Sequence, residues 1–332
     1  MLHLRAIVPA DRTDDIVRLV EETAGCTHLA VLPGAARDPA GDVVMFDVAR
    51  EAGDELVAQL RARGLFEDGA IAVEDVDLVL SKRADEAERE APGEAADAVL
   101  WEQLTDATHE ESTLSVTYIA FLALATMIAA CGVVLDNAVL IVGAMAVGPE
   151  FGPLAGFCTA LVQRAPRLAW RSLTALLVGF AAAMAITVLF SLLMDAVGLF
   201  SVKQLGAERP NTGFVYAPDW FSFVVAVLAG AAGTLSLTSA KSGALVGVAI
   251  SVTTVPAAAN AAVALSYGEF GQTRGSIEQL LLNLLGIIVA GTLTLLVQKL
   301  VRANRRSGRA VDRAAPAEVT PKGTGPGGSA TP

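Results

Sequence analysis

Long runs of apolar residues dominate the chain from residue 113 to about residue 300. Six of these runs are long enough to cross about 30 Å of hydrocarbon, which takes roughly 20 helical residues. They are Thr113–Leu135, Asn137–Val162, Ser172–Met194, Trp220–Ala240, Ser242–Gly268 and Gln279–Gln298. Glu150 is the charged residue that interrupts them. The pattern predicts six transmembrane helices and therefore an α-helical polytopic membrane protein.

The first 82 residues follow a different pattern, with apolar and polar residues alternating as in half-buried strands. Strands are predicted at residues 2–8, 28–32, 42–48 and 70–80, and helices at residues 11–24 and 52–63. The order βαββαβ is that of a ferredoxin-like α/β domain. The stretch from Pro33 to Arg37 is interpreted as a plain turn. Such domains often sense small ligands, but a fold alone does not establish a function.

Three further regions follow from composition. Residues 83–112 are rich in Asp and Glu, and we interpret them as an acidic linker with a juxtamembrane helix. The alternative is a vestibule that attracts cations. Residues 113–301 form the predicted transmembrane domain. Residues 302–332 combine basic residues with Gly, Pro, Ala and Thr, which predicts a disordered basic tail.

Charge in the loops predicts the orientation of the helices. The N-terminus lacks the pattern of a cleaved signal peptide, so we expect it to stay in the cytoplasm. On that assumption the inner loops hold most of the Lys and Arg, and the outer loops hold only Lys203, Arg209 and Arg274. This bias is the positive-inside rule, and it predicts a multi-pass plasma-membrane protein with both termini cytoplasmic.

The second apolar run contains helix-breaking residues where a bilayer midplane is expected. Gly148, Pro149, Glu150, Gly152 and Pro153 occur within six positions. The two prolines are expected to break the helical hydrogen-bond ladder, which membranes tolerate only where protein or a watery cavity satisfies the freed groups. An intramembrane carboxylate is costly, so it marks a candidate functional site.

The fifth run is interrupted as well, at Pro256, which Asn260 follows. Three runs per half, each half with a broken middle run, suggest a 3+3 inverted repeat. In transporter-like folds, such paired breaks indicate a binding site near the midplane. The predicted transport path comprises Gly148, Pro149, Glu150, Gly152, Pro153, Thr253, Thr254, Pro256, Asn260 and Asn283.

Each of these features also has a purely structural interpretation. Glu150 then holds two helices together, either protonated or hydrogen-bonded to amides of the broken helix. Glycines at four-residue spacing, such as Gly148, Gly152 and Gly156, allow close helix packing without any further role. Asparagine and threonine side chains commonly serve as hydrogen bonds between helices. The pattern alone leaves both interpretations open.

The residues of these two runs resemble a known family. The segments Val142-Gly-Ala-Met-Ala-Val-Gly-Pro149 and Ala244-Leu-Val-Gly-Val-Ala-Ile-Ser-Val252 are similar to bacterial membrane proteins of domain-of-unknown-function family 389, the uncharacterised hydrophobic domain. The resemblance extends over roughly residues 110–300, and it implies this topology and a small N-terminal soluble domain. Many members have an apolar residue at the position of Glu150. The resemblance therefore implies neither a substrate nor a role for that carboxylate.

Composition excludes several other classes of protein. The chain is 53% hydrophobic with a net charge of -11, and no basic aromatic stripe points to nucleic acid. Its three cysteines are far apart, and the catalytic motifs of intramembrane enzymes are missing from the predicted spans. We therefore expect no enzyme, no cofactor and no metal site.

Two functions remain. We expect a small-solute or ion transporter or channel with a cytoplasmic regulatory domain. The alternative is a membrane-anchored ligand sensor or scaffold without transport. The expected partners are the lipid bilayer, an unknown small solute or ion, and further copies of the chain in a homo-oligomer.

Overall fold

The structure is a computed structural model that describes residues 1–76, 78–91, 101–238 and 253–314. Its N-terminal part is a four-stranded antiparallel sheet. The strands are β1 (Leu2–Val8), β2 (Cys26–Arg37), β3 (Ala40–Val48) and β4 (Ala70–Asp75). Their spatial order is β2-β3-β1-β4.

Helices connect these strands along the chain. Helix α1 (Thr13–Glu22) follows β1, α2 (Arg50–Ala62) follows β3, and the short α3 (Leu65–Asp68) follows α2. Alternate residues of β1 and β3 are buried, as the alternating sequence pattern predicts. Leu4 and Phe46 from the sheet and Ile16, Leu56 and Leu60 from the helices are completely buried in one apolar core.

Two details of this region differ from the sequence pattern. The stretch from Pro33 to Arg37 is not a plain turn, because β2 continues through it and Arg37 pairs with Ala40. Helix α4 (Lys82–Glu90) begins the predicted linker, yet it packs against β2 and β3 with Ala84 and Ala87 buried. Helix α5 (Trp101–Glu111) follows the undescribed residues 92–100.

Within the described residues, four helices are long and apolar enough to cross a membrane, and one bent pair of helices forms a candidate fifth span. The long helices are α6 (Val116–Val134), α9 (Pro166–Ala196), α11 (Trp220–Thr238) and α13 (Phe270–Ala314). The bent pair is α7 (Ala138–Val147) and α8 (Phe151–Gln163). These helices support a multi-pass membrane protein. Helix α13 continues to Ala314, beyond the residue at which a disordered tail is predicted.

The predicted run from Ser242 to Gly268 is described only in its second half, because residues 239–252 lie outside the described residues. That half is α12 (Thr254–Ser266), whose 13 residues extend about 20 Å at 1.5 Å per residue. Every residue from Thr254 to Ala264 is buried. Helix α12 packs against α6, α9 and α13. A mostly apolar helix that is buried on all sides needs other elements packed around it.

Helices α11 and α13 pack closely through Gly230. A Cβ atom at this position would lie 2.7 Å from the Cα of Ile287 and 2.8 Å from its carbonyl oxygen. These backbone atoms of Ile287 cannot move aside as the end of a flexible side chain can. The close approach of the two helices therefore depends on the missing side chain.

We predict that Gly230→Ala lowers the free energy of unfolding by about 1–3 kcal/mol, the usual cost of overpacking. The measurement is thermal unfolding of the purified full-length protein in detergent. Gly143→Ala is the matched control, because Gly143 lies in α7 with nothing within 4 Å of an added Cβ. Gly143→Ala should leave the free energy of unfolding unchanged or raise it, since Ala has a higher helix propensity than Gly. Equal effects of the two changes would contradict the packing argument.

Candidate functional site

The break in the second apolar run lies between α7 and α8, whose axes differ in direction by 53°. Helix α7 has 10 residues, so the break lies about 15 Å from its start, which is about half the thickness of a bilayer's hydrocarbon core. Pro149 lies in the break itself. Pro153 does not break a helix, contrary to expectation, because it is the third residue of α8. Backbone N–H groups in a first turn have no intrahelical partner to lose.

Helix α12 begins in the same way. Its third residue is Pro256, and like α8 it has 13 residues. A proline in the first turn fits a helix start in both cases. Pro153 and Pro256 therefore occupy equivalent positions in two short helices, one from each of the two interrupted runs.

The N-termini of α8 and α12 meet at Glu150. This residue immediately precedes α8, and its Oε1 accepts a hydrogen bond of 2.7 Å from Oγ1 of Thr254, the first residue of α12. Glu150 is only 4% exposed, and its Oε2 has no hydrogen-bond partner in the part of the chain that the structure describes. The partial positive charges of both helix N-termini favour a negative group at this point.

Glycines provide the space around the carboxylate. A Cβ at Gly148 would overlap Oε2 of Glu150 and lie 2.8 Å from Cγ2 of Val255. A Cβ at Gly152 would lie 2.7 Å from both Cβ and Oε2 of Glu111 in α5. Gly148 thus makes room for the Glu150 side chain, whereas Gly152 lets the juxtamembrane helix approach α8.

Glu111 therefore places a second carboxylate beside the start of α8. Its side chain is exposed, unlike that of Glu150. Desolvation against α8 and the neighbouring charge of Glu110 raise the pKa of Glu111. The acidic segment before the membrane domain thus contacts the break at this residue.

Further polar side chains lie next to the start of α12. Oγ1 of Thr253 accepts hydrogen bonds from Nδ2 of Asn283 at 2.7 Å and from Nε2 of Gln279 at 3.2 Å. Asn283 and Gln279 are buried on α13, and Oε1 of Gln279 has no partner. Gln279 was not predicted, because a single polar residue at the start of an apolar run is indistinguishable from a helix end.

Asn260 belongs to a separate cluster. It lies six residues beyond Thr254, which is about 9 Å along α12. Its side chain contacts Arg209 and Ser276 and makes no hydrogen bond with Glu150. The structure therefore divides the predicted path residues between two clusters. Around the break lie Gly148, Pro149, Glu150, Gly152, Pro153, Thr253, Thr254, Pro256 and Asn283, and Asn260 lies apart.

The sequence pattern places Arg209 in an outer loop, where a charged residue is expected to be exposed. In the structure its side chain is buried. The segment between α9 and α11 contains a short helix α10 (Val202–Gly206), and Arg209 follows it. Only 5% of Arg209 is exposed. No local pattern indicates this burial, since it depends on how the segment packs against α12 and α13.

Asp136, in the turn between α6 and α7, holds the residues that follow Arg209. Its Oδ1 accepts hydrogen bonds from Oγ1 of Thr212 at 2.9 Å and from the backbone N–H of Asn211 at 3.2 Å. Its Oδ2 accepts from Nδ2 of Asn211 at 3.0 Å. Desolvation alone would raise the pKa of Asp136, but these hydrogen bonds outweigh it and the pKa is lowered.

Comparison with known proteins agrees with the family resemblance. Residues 145–289 match the family described as "Domain of unknown function (DUF389)", which confirms the resemblance over this range. An uncharacterized protein of Methanocaldococcus jannaschii is 24% identical over 200 residues, which is 60% of either chain. The chain thus spans 60% of the length of this curated relative. The comparison does not confirm that the family is bacterial. No solved structure matches.

These matches assign no chemistry to the site. Among the described residues there is no group of three or more His, Cys, Asp or Glu side chains suited to a metal ion. Any function of the site must therefore be argued from the two polar clusters themselves.

We predict that Thr254→Val lowers the free energy of unfolding by about 1–3 kcal/mol, because the buried Glu150 carboxylate loses its hydrogen-bond donor. Thermal unfolding of the full-length protein measures the change. The control is Thr294→Val, since the Thr294 hydroxyl donates only to the carbonyl of Ala290 in its own helix. A Thr254→Val protein as stable as this control would show that the hydrogen bond contributes nothing.

We also predict that Asp136→Asn weakens the pH dependence of stability in acid. A lowered pKa in the folded state gives stability that is present above the ordinary carboxyl pKa of about 4 and is lost as pH falls through the lowered value. Melting temperatures between pH 6 and pH 3 should therefore fall less steeply in the variant. Asp11→Asn, at an exposed position, is the control and should retain the wild-type profile. Identical slopes for Asp136→Asn and wild type would refute the assignment.

Proposed function

We propose that the protein is a small-solute or ion transporter or channel of the cell membrane. The path runs through the point where α8 and α12 meet. The observation that carries this proposal is the convergence of two helix N-termini on Glu150, whose second oxygen has no hydrogen-bond partner among the described residues. In transporter folds, the N-termini of discontinuous helices near the midplane form binding sites.

The finer topology is part of the proposal. Six transmembrane helices form two inverted halves, with α8 and α12 as the short helices of the second and fifth spans. Support comes from their equal length of 13 residues and from the proline at the third position of each. The distribution of Lys and Arg supports cytoplasmic termini. The protein then acts as a homo-oligomer in the plasma membrane.

In this proposal the described conformation is an occluded one, because Glu150 is buried. The side chain is 4% exposed, and Thr254 at 1% exposure lies directly against it. A solute reaches the carboxylate only when α12 moves relative to α8. Opening therefore requires breaking the hydrogen bond between Glu150 and Thr254, which gives this bond a role in the transport cycle.

The N-terminal domain, proposed as ferredoxin-like, is assigned a regulatory role. Two histidines on its sheet share one carboxylate. His3 Nδ1 lies 2.7 Å from Oδ1 of Asp47, and His28 Nδ1 lies 2.6 Å from Oδ2. Nε2 of His28 also contacts Oγ of Ser81 at 2.8 Å, immediately before α4. A change at these histidines is thereby coupled to the segment that leads to the membrane domain.

The same cluster favours the alternative function, a membrane-anchored sensor or scaffold without transport. In that case Glu150 only joins α8 to α12. The two functions differ in whether the protein moves a solute across a bilayer and in whether Glu150 matters for that movement.

We predict that Glu150→Gln reduces solute flux at least tenfold while the protein still folds. The assay uses the full-length protein in liposomes and measures flux of sodium, potassium, chloride and phosphate separately against protein-free liposomes. The matched control is Glu278→Gln, because Glu278 is exposed and pairs with Arg274 at the surface of α13.

The transporter proposal requires wild-type flux of at least one of these four ions. Flux in Glu150→Gln equal to that of wild type would remove the carboxylate from the path. Absence of wild-type flux for all four would favour the sensor or scaffold function instead.

A further inference from the structure

Arg209 is a buried cation whose hydrogen-bond partners are neutral. Nη1 donates to Oδ1 of Asn260 at 2.8 Å, and Nη2 donates to Oε1 of Gln272 at 2.7 Å. The guanidinium carbon lies 4.6 Å from the centre of the Tyr216 ring. The side chain thus inserts from the segment between α9 and α11 to contact both α12 and α13.

The charge of Arg209 lacks a paired carboxylate within the described residues. Asp136 is the acid whose charge reaches it, but the Asp136 oxygens accept hydrogen bonds from Asn211 and Thr212. Burial lowers the pKa of Arg209, yet a guanidinium remains protonated at physiological pH. A buried charge without a counter-ion is costly, so this position favours an anion.

One donor of the guanidinium is free. Nε of Arg209 is buried and has no hydrogen-bond partner within residues 1–76, 78–91, 101–238 and 253–314. Nε and Nη2 lie on the same edge of the guanidinium, which is the edge that binds two oxygens of an anion side by side. Nη2 donates to Gln272, and the hydroxyl of Tyr216 also interacts with the guanidinium, so an oxyanion at this edge would replace neutral side chains and no carboxylate.

The surrounding residues hold the guanidinium in place. Asn260 donates through Nδ2 to Oγ of Ser276 at 2.7 Å, and both residues are completely buried. At Gly275 an added Cβ would overlap the carbonyl oxygen of Tyr216, so the segment with Arg209 lies directly on α13. The donor edge is therefore positioned before any ligand binds.

We propose that Arg209, with Gln272 and Asn260, binds a small oxyanion such as phosphate or sulfate between α12 and α13. The binding site is argued from this geometry alone. The further statement that the oxyanion is the transported solute rests on the proposed transport function. It is supported by the position of Asn260, about 9 Å along α12 from the residue that contacts Glu150.

The experiment is thermal unfolding of the purified full-length protein in detergent with increasing sodium phosphate or sodium sulfate. Sodium chloride at matched ionic strength controls for screening. Because a ligand that binds only the folded state stabilises it, we expect a saturable rise in melting temperature with an oxyanion beyond that with chloride. Arg209→Gln should abolish the saturable rise. Arg274→Gln is the matched control, since Arg274 is 83% exposed and pairs with Glu278, and it should retain the rise.

A second variant covers the case in which Arg209→Gln fails to fold. Asn260→Asp places a carboxylate where a neutral amide now contacts Nη1, and so supplies an internal counter-ion. We expect this variant to fold and to bind the oxyanion at least tenfold more weakly. The proposal is overturned if wild type shows no saturable rise, or if every variant that folds retains wild-type affinity.

The binding assay and the flux assay test the two proposals separately. A saturable oxyanion effect without flux in liposomes keeps the Arg209 site and rejects transport. Phosphate flux that is unchanged in Arg209→Gln keeps transport and rejects Arg209 as its binding site.

Discussion

Polar and charged groups around a buried helix in the membrane domain are costly unless they find partners, and this constraint acts most strongly at α12. The helix is too short to span a bilayer and is buried from Thr254 to Ala264. Its N-terminus receives the carboxylate of Glu150, and Asn260 in its middle receives the guanidinium of Arg209. The helices around it, α6, α9 and α13, are arranged so that this small alanine-rich element can be enclosed.

Two charges of opposite sign thus contact one buried helix, and neither is fully satisfied by protein. Among the residues that the structure describes, Oε2 of Glu150 and Nε of Arg209 have no hydrogen-bond partner. If Glu150 and Arg209 only held helices together, apolar residues of similar size would give a more stable protein, because burying charges costs free energy. The unsatisfied atoms are therefore the strongest argument that this interior interacts with a solute, and they are the basis of both proposals.

The sequence was a good guide to some features and a poor one to others. Apolar runs located the long helices, and Pro149 located the bend between α7 and α8. Pro153 and Pro256 proved to be first-turn residues, because proline is compatible with a helix start as well as with a break. Arg209 was missed entirely. Its burial comes from the packing of an irregular segment, which has no periodicity that a sequence pattern can reveal.

The sequence by itself determined that the chain has a small α/β part followed by a membrane domain, because hydrophobic periodicity and run length follow directly from burial in water or lipid. It also determined that Glu150 is an unusual residue. Only the tertiary structure decided which groups face each other. Thr254 meets Glu150, and Asn260 meets Arg209, across separations of 104 and 51 residues. Hydrogen bonds between distant residues depend on how helices pack, and local sequence does not encode that arrangement.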